Sequence, residues 1–316
     1  MNKTSIATFS AMGTVNRILV DEGGKEYAVQ KAVDRVAEIE RRMSAFLPDS
    51  DVSLLRKHAG NGWQRVHFDT CHLLRKGAEF GALSQGAFDI TVRPLTELWG
   101  IGLGKNDIPT ESKIEEARRL VNYRDVHIDS TGSRAALEHP GQALDLGGIA
   151  KGYAADEVKR ILQENHIQSA LINLGGNVVA LGSKADGSPW RVGIQNPLAP
   201  TGQILGSLDV TDQTVVTSGC NERFFLKDGI RYHHLLDPRT GWPVHNSLLS
   251  VTVVCPSSLD ADALTTALFV LGLPKGMKLL KRMQAQAIFC TDDQKVTATR
   301  GLKNNFQFSS LPRSIA

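Results

Sequence analysis

Three short segments of this chain carry residue types and spacings that could handle a phosphate. In Ala143-Leu-Asp-Leu-Gly-Gly-Ile-Ala-Lys-Gly-Tyr153, Asp145 and Lys151 flank a glycine pair where an apolar run gives way to a helical pattern. Glycines let backbone N–H groups approach anionic oxygens, a helix start adds a partial positive charge, and a lysine adds a full one. Neither the P-loop spelling nor the dinucleotide Gly-x-Gly-x-x-Gly occurs, so alone the segment also reads as a plain strand-to-helix connection. Asp262 and Thr266, four residues apart, would share a helix face, with Leu264, Leu268 and Leu271 forming a separate apolar stripe. A carboxylate and a hydroxyl are hard oxygen donors suited to Mg²⁺, which is commonly completed by waters and substrate phosphates. The plain alternative is a first-turn carboxylate favouring the helix dipole and a threonine bonded back to a carbonyl. His234 opens His234-Leu-Leu-Asp-Pro-Arg-Thr-Gly241, where Pro238 and Gly241 force a turn and Asp237 and Arg239 can bond across it or reach a ligand. A neutral histidine there can accept a hydroxyl proton near pH 7, and His233 beside it could do the same.

The elements that must position these groups follow from periodicity. Glu26 to Met43 places Ala32, Val36, Ile39 and Met43 on one face, which predicts an amphipathic core helix. Ala143 to Leu146 reads as a short buried strand, Ile149 to Glu164 as a helix with Ala154, Val158, Ile161 and Leu162 inward, and Ala170 to Leu174 as a strand. That order predicts a βαβ-like unit. Further strands are expected at Trp190 to Ile194, Gln213 to Thr217 and Leu248 to Val254, a turn around Lys184 to Pro189, and a polar, fraying tail from Asn304. No long linker divides the chain, and the two Leu-Gly-Gly triplets have unrelated flanks, so no repeat is expected.

Composition narrows the function classes. A net charge of +3, without a basic block interleaved with aromatics, gives no footprint for nucleic acid. The four cysteines, Cys71, Cys220, Cys255 and Cys290, have no Cys-x-x-Cys spacing and are expected to be reduced and mostly buried. No apolar run is expected to reach membrane-spanning length. The first ten residues lack an apolar signal region, from which a cytoplasmic location is expected.

Seven segments, in order, make the chain similar to one family. They are Ala11-Met-Gly-Thr14, Met43-Ser-Ala-Phe-Leu-Pro-Asp-Ser50, Gly86-Ala-Phe-Asp-Ile-Thr-Val92, the Asp145 to Tyr153 turn, Asn173-Leu-Gly-Gly-Asn177, the His234 to Gly241 turn, and Asp262-Ala-Leu-Thr-Thr266. Together they resemble the ApbE-type flavin transferases, the FAD:protein FMN transferases. The resemblance implies an α+β fold of mixed sheets with packed helices, forming a single catalytic unit over residues 5–312. It implies FAD as substrate and Mg²⁺ as cofactor, with Asp262, Thr266 and the Gly148 carbonyl as metal ligands. Met12, Phe46, Ala87, Phe88, Asp89, Asp145, Lys151 and the backbone near Leu236 match positions that surround FAD, although each alone could be core or cap. The motif selects His234 over His233, with Asp237 as a weaker candidate base. The implied reaction moves FMN from FAD to a threonine or serine hydroxyl of an acceptor protein, through a phosphoester, with release of AMP.

The usual acceptor segment is Ser/Thr-Gly-Ala-Thr-like, and this chain has none, so a separate partner is expected. Two departures stand out. Phe46 occupies a position where tyrosine is common, which keeps a stacking ring and loses a hydroxyl. In Val216-Thr-Ser-Gly-Cys-Asn-Glu-Arg223, Cys220 and Asn221 replace an acidic or amide residue and a tyrosine. The rival readings are a Mg²⁺-dependent FAD pyrophosphatase and a non-catalytic flavin-binding protein; a nicotinamide dehydrogenase is disfavoured by the missing fingerprint.

Overall fold

The computed structural model describes residues 4–302, 305–309 and 313–315. In chain order the first third holds β1 (Ser5–Ala11), β2 (Thr14–Val20), α1 (Glu26–Met43), α2 (Asp51–Lys57), β3 (Gln64–Arg65), α3 (Phe68–Leu83) and α4 (Arg93–Trp99). There follow α5 (Glu111–Arg118), β4 (Val126–Ile128), β5 (Arg134–Leu137), α6 (Ala150–Glu164), β6 (Ala170–Leu174), β7 (Asn177–Leu181) and β8 (Trp190–Gln195). The rest comprises β9 (Ile204–Val210), β10 (Thr214–Gly219), β11 (Phe224–Lys227), β12 (Ile230–His233), β13 (Leu248–Cys255), α7 (Ser258–Leu280), β14 (Gln286–Thr291), β15 (Val296–Ala298), β16 (Phe306–Phe308) and β17 (Arg313–Ile315).

A nine-stranded sheet runs β1-β2-β6-β7-β10-β13-β14-β15-β17, beside three small sheets. Its described pairs are antiparallel except β15 with β17. Two of its hairpins close through two-residue turns with both residues at positive φ, Met12–Gly13 and Gly175–Gly176. This is the turn hand that matches strand twist. The helices α1, α6 and α7 pack side by side, with α7 against β10 and β13. Ala28, Val29, Ala32, Val36, Ile39 and Met43 of α1 are buried, as the periodicity requires. The result is the mixed α+β layering expected, with one large apolar core between helices and sheet.

Three expectations need correction. Ala143, Leu144 and Leu146 are buried but form no strand. Among the described residues the stretch makes one backbone bond to another segment, from Asp145 N to Ile90 O at 2.8 Å. There is consequently no βαβ unit, and β6 lies antiparallel to both β2 and β7. Most of the described residues of the expected tail are strand: β16 pairs with β9 and β17 with β15, while Asn304, residues 310–312 and Ala316 lie outside the described residues. Finally, α7 is by length and composition alone long and apolar enough to cross a membrane. Its apolar content has another cause, since most of it is buried against α6 and the sheet. The helix also breaks at Gly272, whose φ is 72°, two residues before Pro274.

Candidate active site

Two helices are held together by exchanged carboxylates. The first turn of α6 has N–H groups that its N-cap, Ile149, cannot satisfy with a side chain, although Ala150 N finds Leu146 O at 2.8 Å. Asp262 of α7 fills one, with Oδ2 accepting from Gly152 N at 2.9 Å. In return Asp156 of α6 accepts from Ser258 N at 2.8 Å, Leu259 N at 3.0 Å and Ser257 Oγ at 3.0 Å, at the start of α7. Burial pushes the Asp156 carboxyl above its usual range, although these donors oppose the shift. Gly152 makes the approach possible: a Cβ there would lie 2.2 Å from the Ser258 carbonyl oxygen.

The glycine turn is folded over this junction. Lys151 Nζ donates to Gly147 O at 2.9 Å and lies 4.0 Å from Asp262 Oδ1. Asp145 Oδ1 accepts from Gly147 N at 3.0 Å, and its Oδ2 from Thr96 Oγ1 at 3.1 Å, with an Arg93 nitrogen 3.7 Å from the same oxygen. At Gly148 a Cβ would be 3.3 Å from the Phe88 ring and 3.5 Å from Thr266 Oγ1, so the turn, Phe88 and Thr266 converge. Asp262 lies in the second turn of α7, not the first. The back-bond to the helix comes from Thr265, whose Oγ1 donates to Asp262 O at 2.8 Å and accepts from Ser218 Oγ at 2.8 Å. The Thr266 hydroxyl makes no protein hydrogen bond among the described residues.

His234 follows β12, and the charges of Lys151 and Asp145 act on its imidazole. Its Nδ1 is 3.3 Å from Arg223 O. Burial pushes the imidazole down to about 4, with Arg223 and Lys151 adding to the shift against the Arg223 carbonyl. His233 is also pushed down to about 4, mainly by burial, with Nε2 2.9 Å from Val244 O. The Asp237 carboxylate is committed to its own turn, accepting from Arg239 N, Nε and Nη2 at 2.9, 2.8 and 2.7 Å. Leu236 is buried and bridges to Pro243 across that turn.

The remaining predicted residues sit at the margins of this cluster. Ala87 and Phe88 are buried. Asp89 spends its carboxylate on Thr91 N, Thr91 Oγ1 and Tyr123 N at 2.8, 2.6 and 2.9 Å, and burial raises its pKa. Met12 is held by Glu40, which accepts from its N–H at 2.7 Å, and not by the glycine turn. Phe46 is 69% exposed, with the Arg93 guanidinium 4.5 Å from its ring centre. Sequence reading missed Asp156, Arg93, Thr96 and Glu40. Only Gly152 gave a signal, because a glycine inside a helical pattern costs about 1 kcal/mol and marks a close approach. A charged groove of about 730 Å³ lined by α1 and α6 residues such as Arg35, Glu38, Glu157 and Arg160 contains none of the predicted site residues. The four cysteines are free and buried.

The two histidines give a pH signature. Both bind protons less readily in the folded chain than at the usual 6.5. Between 6.5 and about 4 the unfolded chain therefore holds more protons, and stability falls as pH drops through that window. The urea midpoint is expected to be lower at pH 5 than at pH 7, with a shallower fall in His234→Gln. An equal fall in both proteins would remove His234 from this account.

Known proteins share this fold. A profile described as the ApbE family matches residues 12–289. An FAD:protein FMN transferase of Klebsiella pneumoniae is 36% identical over 94% of this chain and 92% of its own length. One from Treponema pallidum is 36% identical over 92% and 85%. The crystal structure of Pseudomonas stutzeri flavinyl transferase ApbE, in its apo form, superposes with a TM-score of 0.86 at 31% identity, covering 98% of each chain. Fold and relatives alike define an enzyme of the transferase class. The chain belongs to the ApbE family.

Proposed function

We propose that this protein is an FAD:protein FMN transferase, moving FMN from FAD to a threonine or serine hydroxyl of an acceptor protein and releasing AMP. The observation that carries the reading is the α6–α7 junction, which brings a lysine, a helix N-terminus, a buried carboxylate and a free hydroxyl to one glycine turn. That set suits a pyrophosphate. The relatives' names supply the flavin and the protein acceptor.

Asp262, Thr266 and the Gly148 carbonyl are the residues that would hold Mg²⁺. They fit it: all three offer hard oxygens, and the gap beside Gly148 that a Cβ would fill faces Thr266 Oγ1. When bound, the ion would neutralise charge on the pyrophosphate oxygens. Lys151 and the α6 N-terminus add positive charge on the same side, and Asp145 keeps the turn closed. A bond from Nδ1–H to Arg223 O would leave the His234 Nε2 lone pair to take the acceptor's hydroxyl proton. The hydroxyl oxygen then bonds to the FMN phosphorus while the bond to the AMP phosphate breaks, and AMP leaves with the electron pair. A bound pyrophosphate raises the histidine's pKa from its low resting value, making it a better base where it is needed.

The test is to incubate the protein with FAD, Mg²⁺ and a domain carrying Ser/Thr-Gly-Ala-Thr, then weigh the intact acceptor. A covalent FMN adduct that EDTA abolishes is expected. FMN and AMP without adduct would indicate a pyrophosphatase, and unchanged FAD a flavin-binding protein.

A further inference from the structure

Arg93 stands where a cation is costly. It is the first residue of α4, at the positive end of the helix dipole, and its side chain is only 8% exposed. Three partners compensate. Glu97 accepts from Nε at 2.9 Å, Asp145 Oδ2 is 3.7 Å from a terminal nitrogen, and the Phe46 ring lies under the guanidinium at 4.5 Å. Glu97 is itself fixed by Arg56, with contacts of 2.6 and 2.8 Å. The cation is therefore braced from behind by α2 and α4. What it braces is an aromatic ring left 69% exposed, on a loop just after α1.

We propose that Arg93 is a positioning residue for the flavin half of FAD: it covers one face of Phe46, presents the other to the isoalloxazine, and ties that platform to the glycine turn through Asp145. This rests on the FAD reading given above. A phenylalanine has no hydroxyl with which to anchor itself, so an exposed ring here would rotate freely without a contact on its rear face. A guanidinium can stack flat on that face while keeping its edge for carboxylates. The same side chain reaches both the ring platform and Asp145, which closes the turn. Fixing the platform before the ligand arrives lowers the ordering cost of binding.

Binding of FAD is followed by quenching of flavin fluorescence, and binding of ADP, which lacks the isoalloxazine, by calorimetry. Arg93→Met is expected to weaken FAD about five- to tenfold, between the worth of an exposed and of a desolvated cation–aromatic contact, with KM for FAD rising alike and kcat within about twofold. ADP affinity is expected to be unchanged. Phe46→Leu with Arg93→Met is expected to bind FAD no worse than Phe46→Leu alone, because the two side chains act as one unit. Arg93→Lys keeps the charge with less disturbance and serves if the methionine variant does not fold; it too is expected to weaken FAD, since an ammonium cannot stack. Additive losses in the double variant, or equal losses for ADP and FAD, would overturn the proposal and make Arg93 a structural ion-pair residue. Failure of the unaltered protein to bind FAD would instead overturn the FAD reading on which it stands.

Discussion

Asp262→Asn is expected to lower the rate of FMN transfer at least a hundredfold at saturating Mg²⁺ while the protein stays folded. The variant keeps an oxygen able to accept from Gly152 N, which Asp262 does now at 2.9 Å, but removes the one negative charge that the junction directs at the glycine turn. Metal-assisted charge stabilisation is worth several kcal/mol, and each 1.4 kcal/mol is about tenfold in rate. FAD binding is expected to weaken less, because Lys151, the helix terminus and the Phe46 platform are untouched. The measurements are the initial rate of acceptor mass gain across a Mg²⁺ titration and FAD affinity by fluorescence. A variant with normal turnover would remove Asp262 from the metal site.

Gly152→Ala is expected to destabilise the protein by about 3 kcal/mol, at the upper end of overpacking costs. The added carbon would stand 2.2 Å from Ser258 O and 2.7 Å from the Leu259 Cα, and backbone cannot swing aside as a side chain can. The helices must part, and with them the two exchanged carboxylate contacts. Denaturant unfolding measures the loss, and transfer activity should fall with it. Gly148→Ala is the contrast: its nearest contacts are 3.3 and 3.5 Å, so the midpoint should barely change while the space beside Thr266 is filled. Equal midpoints for Gly152→Ala and the unaltered protein would show that α6 and α7 have room to spare.

What the sequence revealed depended on whether the signal was local. The helix over Glu26–Met43 was readable residue by residue, because a 3.6-residue period repeats through five turns. Strands at 170–174, 190–195, 214–219 and 248–255 announced themselves as apolar runs. The stretch 143–146 looked the same and is no strand, since strand identity depends on a neighbour and, among the described residues, the one backbone bond it makes to another segment is to Ile90. The polar tail failed for the mirror-image reason: Phe306–Phe308 has an available edge on β9. In the site, the glycine turn, Asp262 and Thr266 carried motif signals, whereas Asp156 and Arg93 did not. An aspartate on an amphipathic helix and an arginine before a proline look like surface charge until the element that each one touches is known.

The α6–α7 junction also dictates when in its life the protein can work. Gly152 and Asp262 are 110 residues apart. A ribosome that has released the glycine turn must still deliver eight strands, four of them in the large sheet, the His234 turn and the first turn of α7 before the carboxylate arrives. Non-local closure of this kind is slow and comes late in folding. Until then a nascent chain has only part of the site proposed above, so on that reading turnover would report that α7 has docked on α6.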